Sequence, residues 1–570
     1  MNFLSLRKKT LLVSAVFFFL LTGSAFAASP KETLNFNVDK NYDASARSQI
    51  PATLVKTTSS LYFYVETSWW DAQTPGKKSE ILADLDAVSL EFGNNIYPKL
   101  TSVYGSEWKP GVDGDNKITI LFESINSNLG GYFRSQDEYI KLQSPDSNER
   151  EMLYLPIAQI DSSQLKVFLA HEFVHLIVFN QKDRLQGVSE EVWLSEARSD
   201  YASTILGYDD LYQGSNLQRK VQDFLVQPSN SLTEWQNIKY DYSAESLFTH
   251  YLVDHYGIGV LANSLKSKLV GIPSLNEILL KNGAKEDFSQ IFTDWTVAVV
   301  FNDCSASLRY CYLNQNLTNL KINPTLNFLP IVGNSSLSVT NITKNWSGNW
   351  QKIIGGNGNL SLQFSSLAGL DFKVPYIIFD KDNHSSIKFL TLDKNEKGQI
   401  DIKNFGTQYT SLIIIPSLQT KVSGFEGLEL TYPYTFTVSI TGSVPEEDRL
   451  LIQKLLAQID SLKKQIAAIL QSGNSGGHGN AVCAQISSNL YLGVSNKEQV
   501  SCLQQFLASE GSDIYPEGFV TGNFGPLTTM AVIRFQEKYP SDILTPVGLS
   551  KGTGFVGTLT RQKINQLLAP

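Results

Sequence analysis

The sequence predicts a multidomain chain: an α+β lobe, then an all-β, sandwich-like domain, a coiled-coil-like helix and a small three-helix domain. Three observations predict it. The 570 residues, 42% hydrophobic and 18% charged, suit a globular protein too long for one domain. Strands mixed with helical periodicity up to about residue 303 give way to strand-like alternation from 320 to 443. A heptad seam, a glycine-rich stretch and a repeated loop-then-helix unit then follow in order.

Residues 1–27 read as a secretory signal: Arg7, Lys8 and Lys9, an apolar run from Leu11 to Leu21, and Ala25-Phe26-Ala27 as a small-x-small cleavage site. The mature chain is expected to start at Ala28. The apolar run is too short for an anchor, and the residue directly after the cleavage site, Ala28, is not a cysteine. The expected location is outside the cell, secreted or wall-associated, with no membrane span in the mature chain. Loss of the three signal cations takes the net charge from −8 to −11, and an acidic chain binds nucleic acid poorly. Residues 28–56 are set apart as an N-terminal segment.

The α+β lobe, residues 57–303, begins with strand-like alternation from Ser59 to Glu66 and a helix carrying Ile81, Leu85, Val88, Phe92 and Ile96 on one face. The strand Lys117–Phe122 follows Asp113-Gly114-Asp115-Asn116, read as a plain turn rather than a calcium loop. Gly130-Gly131-Tyr132-Phe133 and a strand from Met152 to Leu155 come next. From Val167 to Asn180 an apolar run without Gly or Pro predicts a helix, on which His171 and His175, four apart, leave the same face and can share one metal. Glu172 between them is placed as the general base. A catalytic zinc takes three protein ligands and keeps one position open, so a third donor is needed, and Glu196 is the candidate. It sits on a second predicted helix, with Ser189 as N-cap and Gly207 at its end. One turn on, Asp200 can accept the other N–H of His171 and fix its tautomer.

HEFVH followed by WLSEARSDYAS resembles the gluzincin metallopeptidases, in which a glutamate about twenty residues after the second histidine completes the site. The run Glu196 to Asp200 is similar to the E-A-x-S-D of thermolysin-like enzymes, which implies Glu196 as ligand and Asp200 as its supporting acid. The order of segments upstream, over roughly residues 60 to 300, looks closer to secreted hyicolysin-like peptidases. Metzincins carry Gly and a third His where this chain has Val178 and Gln181, and the G-x-M-E-N-type segment of gluzincin aminopeptidases is missing. The resemblance therefore implies an endopeptidase, with an edge strand near Gly130–Phe133 or Met152–Leu155 that pairs with substrate backbone.

Helices are predicted at 243–256, 274–282 and 287–302, stopped by Gly257 and Gly283 in the first two cases. Tyr242 opens YSAESLFTHYLVDHYG, similar to aminopeptidase-like gluzincins whose matching tyrosine donates to the tetrahedral oxyanion. That role goes to Tyr242, with a helix-capping core tyrosine as the alternative. His250 reads as a cleft residue and His255 as surface. Cys304 and Cys311 enclose a short loop and suggest a disulfide in an exported protein.

The 320–443 domain, with strands such as 360–364 and 434–440, offers no catalytic pattern, and His384 is isolated. Residues 446–471 carry the seam Ile452, Leu455, Ile459, Leu462, Ile466 and Ile469, which suits either a parallel homodimer through 452–469 or a helix docked on the sandwich. Residues 472–480 read as a flexible linker. In the final module, residues 481–570, Thr521-Gly-Asn-Phe-Gly-Pro-Leu-Thr528 recurs loosely as Thr553-Gly-Phe-Val-Gly-Thr-Leu-Thr560. With Val500, Leu503, Gln504, Phe506 and Leu507, then Ala531, Val532, Phe535 and Gln536, it resembles small three-helix peptidoglycan-binding domains. A Cys483–Cys502 disulfide is expected within it.

Together these readings predict a secreted zinc endopeptidase acting on polypeptides, with Zn2+ as cofactor, His171, His175 and Glu196 as ligands, and peptidoglycan as the partner of the C-terminal domain. A hydrolase of peptidoglycan stem peptides and a wall-bound adhesin with an inactive peptidase lobe are the other two functions the pattern admits.

Overall fold

The protein mixes α and β structure. The computed structural model describes residues 32–126, 129–331, 333–441, 446–472 and 485–569. The expected signal at 1–27, the linker residues from 473 and Cys483 lie outside the described residues. The chain divides into two compact units, Met1–Ile452 and Gln453–Pro570. No helix among the described residues is long and apolar enough to cross a membrane.

The first unit is built on a six-stranded sheet of β1 (Thr33–Asn37), β2 (Gln49–Thr57), β3 (Leu61–Glu66), β4 (Ile118–Glu123), β5 (Tyr132–Phe133) and β6 (Met152–Pro156), in the order β1-β2-β3-β4-β6-β5. β3, β4 and β6 run parallel and are buried along their whole length, which is why LYFYVE, ITILFE and MLYLP are nearly unbroken apolar runs. The sequence sets residues 28–56 apart, but β1 and β2 belong to this sheet, with β2 antiparallel to β3. β5 is the edge, pairing antiparallel with β6 through Tyr132 opposite Tyr154 and Phe133 opposite Leu153.

Helix α1 (Thr67–Asp71) leads into α2 (Pro75–Glu91), whose Thr74 cap accepts from Lys77 N–H; a π turn joins it to α3 (Tyr97–Tyr104). α4 (Leu165–Val178) runs under the sheet, and its Leu169, Phe173 and Leu176 share one core with Phe122, Leu155 and Leu247. α5 (Val192–Leu206) ends on Gly207 at φ 80°, as glycine there permits. Its N-cap is Glu191, not Ser189, because the Ser189 hydroxyl donates instead to Asp183 Oδ1 at 2.5 Å. α6 (Asn216–Val226), capped by Ser215, then α7 (Lys239–Tyr256), α8 (Gly259–Ser264), α9 (Gly271–Lys281) and α10 (Phe288–Phe301) complete the helical lobe. Cys304 and Cys311 are disulfide-bonded after α10.

Between Thr325 and Thr441 hydrogen bonds join nine strands into one branched sheet. Two of its long strands, Gly358–Ser366 and Tyr432–Thr441, pair antiparallel with Leu360 opposite Ile440. This sheet is packed on the helical lobe. Trp346 and Trp350 enter the core of the helical lobe, Trp350 Nε1–H donates to Thr296 O at 2.7 Å, and Lys344 is paired with Glu234 at 2.5 Å.

α11 (Glu446–Ser472) covers the predicted heptads, and Leu455, Ile459 and Leu462 are exposed; the side chains of Ile452, Ile466 and Ile469 lie outside the described residues. In the second unit, α12 (Lys497–Ser509), α13 (Pro526–Lys538), α14 (Pro540–Ile543) and α15 (Thr558–Leu568) enclose a core of Val500, Leu503, Phe535 and Ile564. The loop repeat seen in the sequence has a physical basis. Buried Gln504 accepts from Thr521 N–H and Gly522 N–H and donates to Asn523 O and Thr528 Oγ1; Gln536 accepts from Thr553 N–H and Gly554 N–H and donates to Phe555 O and Thr560 Oγ1. Each glutamine satisfies the turn that opens a later helix, α13 for Gln504 and α15 for Gln536. Cys502 is in a disulfide.

Candidate metal centre

Helices α4 and α5 pack side by side and place the predicted residues together. His171 Nε2 lies 3.1 Å from Glu196 Oε2 and 3.3 Å from His175 Nε2, and His175 Nε2 is 3.6 Å from Glu196 Oε2. Three donor atoms thus form a small triangle able to hold a metal ion. The far side of each imidazole is also held. His171 Nδ1 is 3.1 Å from Asp200 Oδ1, and His175 Nδ1 is 3.0 Å from Ser195 Oγ and 3.3 Å from Ser199 Oγ. A proton on each Nδ1 leaves both Nε2 lone pairs aimed into the triangle.

Burial works against charge on Glu196, but His175 and His171 overcome it and bring its carboxyl down to about 2. Burial opposes a charged His171 as well, yet Asp200 and Glu196 hold its pKa well above the usual imidazole value. Burial likewise disfavours ionised Asp200, which the Lys220 ammonium and His171 nevertheless hold below the carboxylate range. Glu245, fully buried against Asp200, is pushed far up by burial and by that neighbouring charge. The acid behind His171 thus lies between the Lys220 ammonium and the Glu245 carboxyl.

Glu172 points from α4 into a cavity of about 730 Å³ that His171, Gly131, Phe168 and Tyr242 also line. It is 4% exposed, and burial raises its pKa against the pull of His171 and His175. Gly131 beside it has no room for a side chain, since a Cβ there would stand 2.9 Å from Glu172 Cγ. Tyr242 falls within the first turn of α7, which starts at Lys239 rather than at 243. Its hydroxyl donates to Asn237 Oδ1 at 2.7 Å, and burial, then Glu196 and Asp200, keep it protonated far beyond an ordinary phenol.

Some functional neighbours are not visible in the sequence. Lys220 from α6 stacks on the Tyr242 ring at 4.5 Å while pairing with Asp200. Tyr42, from the β1–β2 connection, packs 5.0 Å from the Tyr132 ring, and burial first, then Asp39, Glu196 and Glu172, raise its pKa. Ser195 and Ser199 had a signal, because four-residue spacing on α5 puts them on one face. His250 is not in the cleft: it is 2% exposed, 3.4 Å from Thr204 Oγ1, and burial lowers its pKa to about 4. Nor is His255 a free surface residue, since its Nε2 lies 3.1 Å from Cys311 O. His384 joins Asp380 and Asp382 in a second, largely exposed group on the β-domain.

Neither a family model nor a curated protein matches this chain. Solved structures similar to parts of it include a periplasmic inhibitor of g-type lysozyme from Aeromonas hydrophila, at 11% identity and a TM-score of 0.15, covering 21% of this chain and 100% of the inhibitor. A mitogen from Yersinia pseudotuberculosis gives 12% identity and a TM-score of 0.15 over 20% of this chain and 92% of its own. The pre-peptidase C-terminal domain of a Bacillus anthracis collagenase gives 6% and 0.13 over 20% and 96%. At these scores the similarities carry no weight for fold or function.

Proposed function

We propose that the chain is a secreted, zinc-dependent endopeptidase of the gluzincin type, tethered to the cell wall by its C-terminal unit. The observation that supports it is the triangle of His171 Nε2, His175 Nε2 and Glu196 Oε2, with sides of 3.1, 3.3 and 3.6 Å. Ligands held tetrahedrally by zinc at about 2.0–2.1 Å stand roughly 3.3 Å apart, so this donor set fits that ion. Bound there, zinc would polarise a peptide carbonyl and make a water acidic enough to attack it at neutral pH.

The chain's own residues divide the remaining work. Glu172 takes the proton of the attacking water and delivers it to the leaving amine. Tyr242 gives its O–H to the carbonyl oxygen as negative charge develops, exchanging Asn237 for that acceptor. Asp200, set by Lys220 and Glu245, keeps His171 in the tautomer that presents Nε2. The edge strand β5 offers main-chain groups to an extended peptide beside Glu172.

Glu172→Gln keeps the shape and removes the base. It should retain metal and lose nearly all casein hydrolysis; casein digestion at the parent rate would overturn the mechanism. For the tail, insoluble peptidoglycan should retain the full chain but not a chain ending at Gln471, and equal retention would remove the tail as anchor. If muropeptides are released from purified wall while casein is left intact, the substrate is the stem peptide instead.

A further inference from the structure

Away from the metal triangle, Glu138 and Glu151 are 1% and 2% exposed, and their carboxyls lie within hydrogen-bonding reach of each other. Both oxygens of Glu138 and Oε2 of Glu151 lack a hydrogen-bond donor; Glu151 Oε1 accepts from Val112 N–H at 2.8 Å. Among the described residues neither glutamate has a lysine or arginine partner. Arg134 lies by Asp137, at 4.0 Å, and Arg150 sits over the Phe36 ring at 5.4 Å, its charge acting on Asp113. Asp137 is separately satisfied by the Tyr154 hydroxyl and Asn148 N–H. Two adjacent buried carboxylates cannot both ionise without a compensating positive charge.

We propose that Glu138 and Glu151 form a binding site for a calcium ion. Carboxylate oxygens without protein donors are what a hard divalent cation requires, and calcium accepts two bidentate carboxylates with further oxygen ligands. The position gives the site a purpose. Glu138 ends the turn that follows edge strand β5, and Glu151 immediately precedes β6, so one ion would tie both ends of the 134–151 excursion to the sheet. The loop carrying Gly111 is drawn in as well: Gly111 has φ +86°, and a Cβ there would fall 1.6 Å from Glu151 Oε2. Asp113 on that loop adds negative field without being a ligand, because its Oδ1 accepts from Asp115 N–H in a turn. Burial pushes Glu151 up to about 7, and burial together with Glu151 pushes Glu138 well above the carboxylate range, which is the state expected when a proton stands in for the cation.

The test uses the full chain stripped with EGTA, and reads stability and heat of binding rather than hydrolysis, so it is separate from the zinc reading. Calcium chloride should raise Tm by about 3 °C or more, with magnesium chloride giving much less. Glu138→Gln with Glu151→Gln should abolish that response, whereas Asp380→Asn, on the exposed second group, should keep it. Loss of the response in Asp380→Asn would overturn the proposal. So would a parent Tm that climbs as pH falls from 8 to 5 but ignores calcium, since the pair would then simply share a proton. Should the double variant not fold, calorimetric titration of the parent still decides: no calcium heat means no site.

Discussion

Replacing Gly131 with alanine perturbs the point where edge strand, sheet and Glu172 meet. The added Cβ would lie 2.8 Å from Tyr154 O and 2.9 Å from both Cγ and Oε1 of Glu172. Comfortable carbon contacts begin near 3.5 Å, so the overlap is about 0.6 Å. Tyr154 belongs to the β6 ladder and cannot retreat, which leaves the Glu172 side chain to move. A misplacement of that order on a proton-transfer group should lower kcat by about 10- to 100-fold. Overpacking should cost about 1–3 kcal/mol of stability. Zinc content should stay at the parent level, because no ligand atom is touched. The assay is kcat on a quenched fluorescent peptide, with metal content and Tm measured on the same preparation. Undiminished kcat in a folded, zinc-loaded Gly131→Ala enzyme would show that the packing of Glu172 against this glycine does not position the base.

Three other outcomes follow from the same geometry. Asp200→Ala should weaken zinc about 10- to 100-fold in a competition titration, and unchanged affinity would detach Asp200 from the site. Tyr242→Phe should lower kcat by about 100-fold with KM nearly constant, whereas a rise in KM alone would make Tyr242 a substrate-binding residue. His250 is buried neutral with its pKa lowered to about 4, so unfolding takes up a proton below pH 6.5. Its contribution is fully present above pH 6.5 and lost as pH falls towards 4, on the order of 3 kcal/mol. Denaturant titrations of His250→Gln should therefore show a flatter acid limb, and identical limbs would contradict the burial.

His171 and His175 were legible from helix geometry, whereas Glu196 and Asp200 as their partners came from the resemblance of the E-A-R-S-D run to thermolysin-like enzymes. His171 to His175 and Glu196 to Asp200 are each four apart, and an apolar run fixes which face turns inward. What joins α4 to α5 is tertiary, so Lys220 and Glu245 carried no local mark of their place beside Asp200. The N-terminal strands were missed because β1 and β2 lie outside the motif-bearing stretch, and β1 at the far end of the sheet is only partly buried. Ser189 failed as a cap because a nearby carboxylate, Asp183, competes for its hydroxyl. In the C-terminal unit the repeated threonine–glycine turns were visible, but their cause, a buried glutamine reaching each turn from an earlier helix, needed coordinates.

The decisive measurement is zinc content by elemental analysis of the parent and of His171→Ala, His175→Ala and Glu196→Ala, each checked for folding by circular dichroism. The parent should carry one zinc per chain, and each variant should lose most of it while remaining folded. A parent without zinc, or a Glu196→Ala protein with full zinc affinity, would contradict the assignment of these three side chains as the metal ligands.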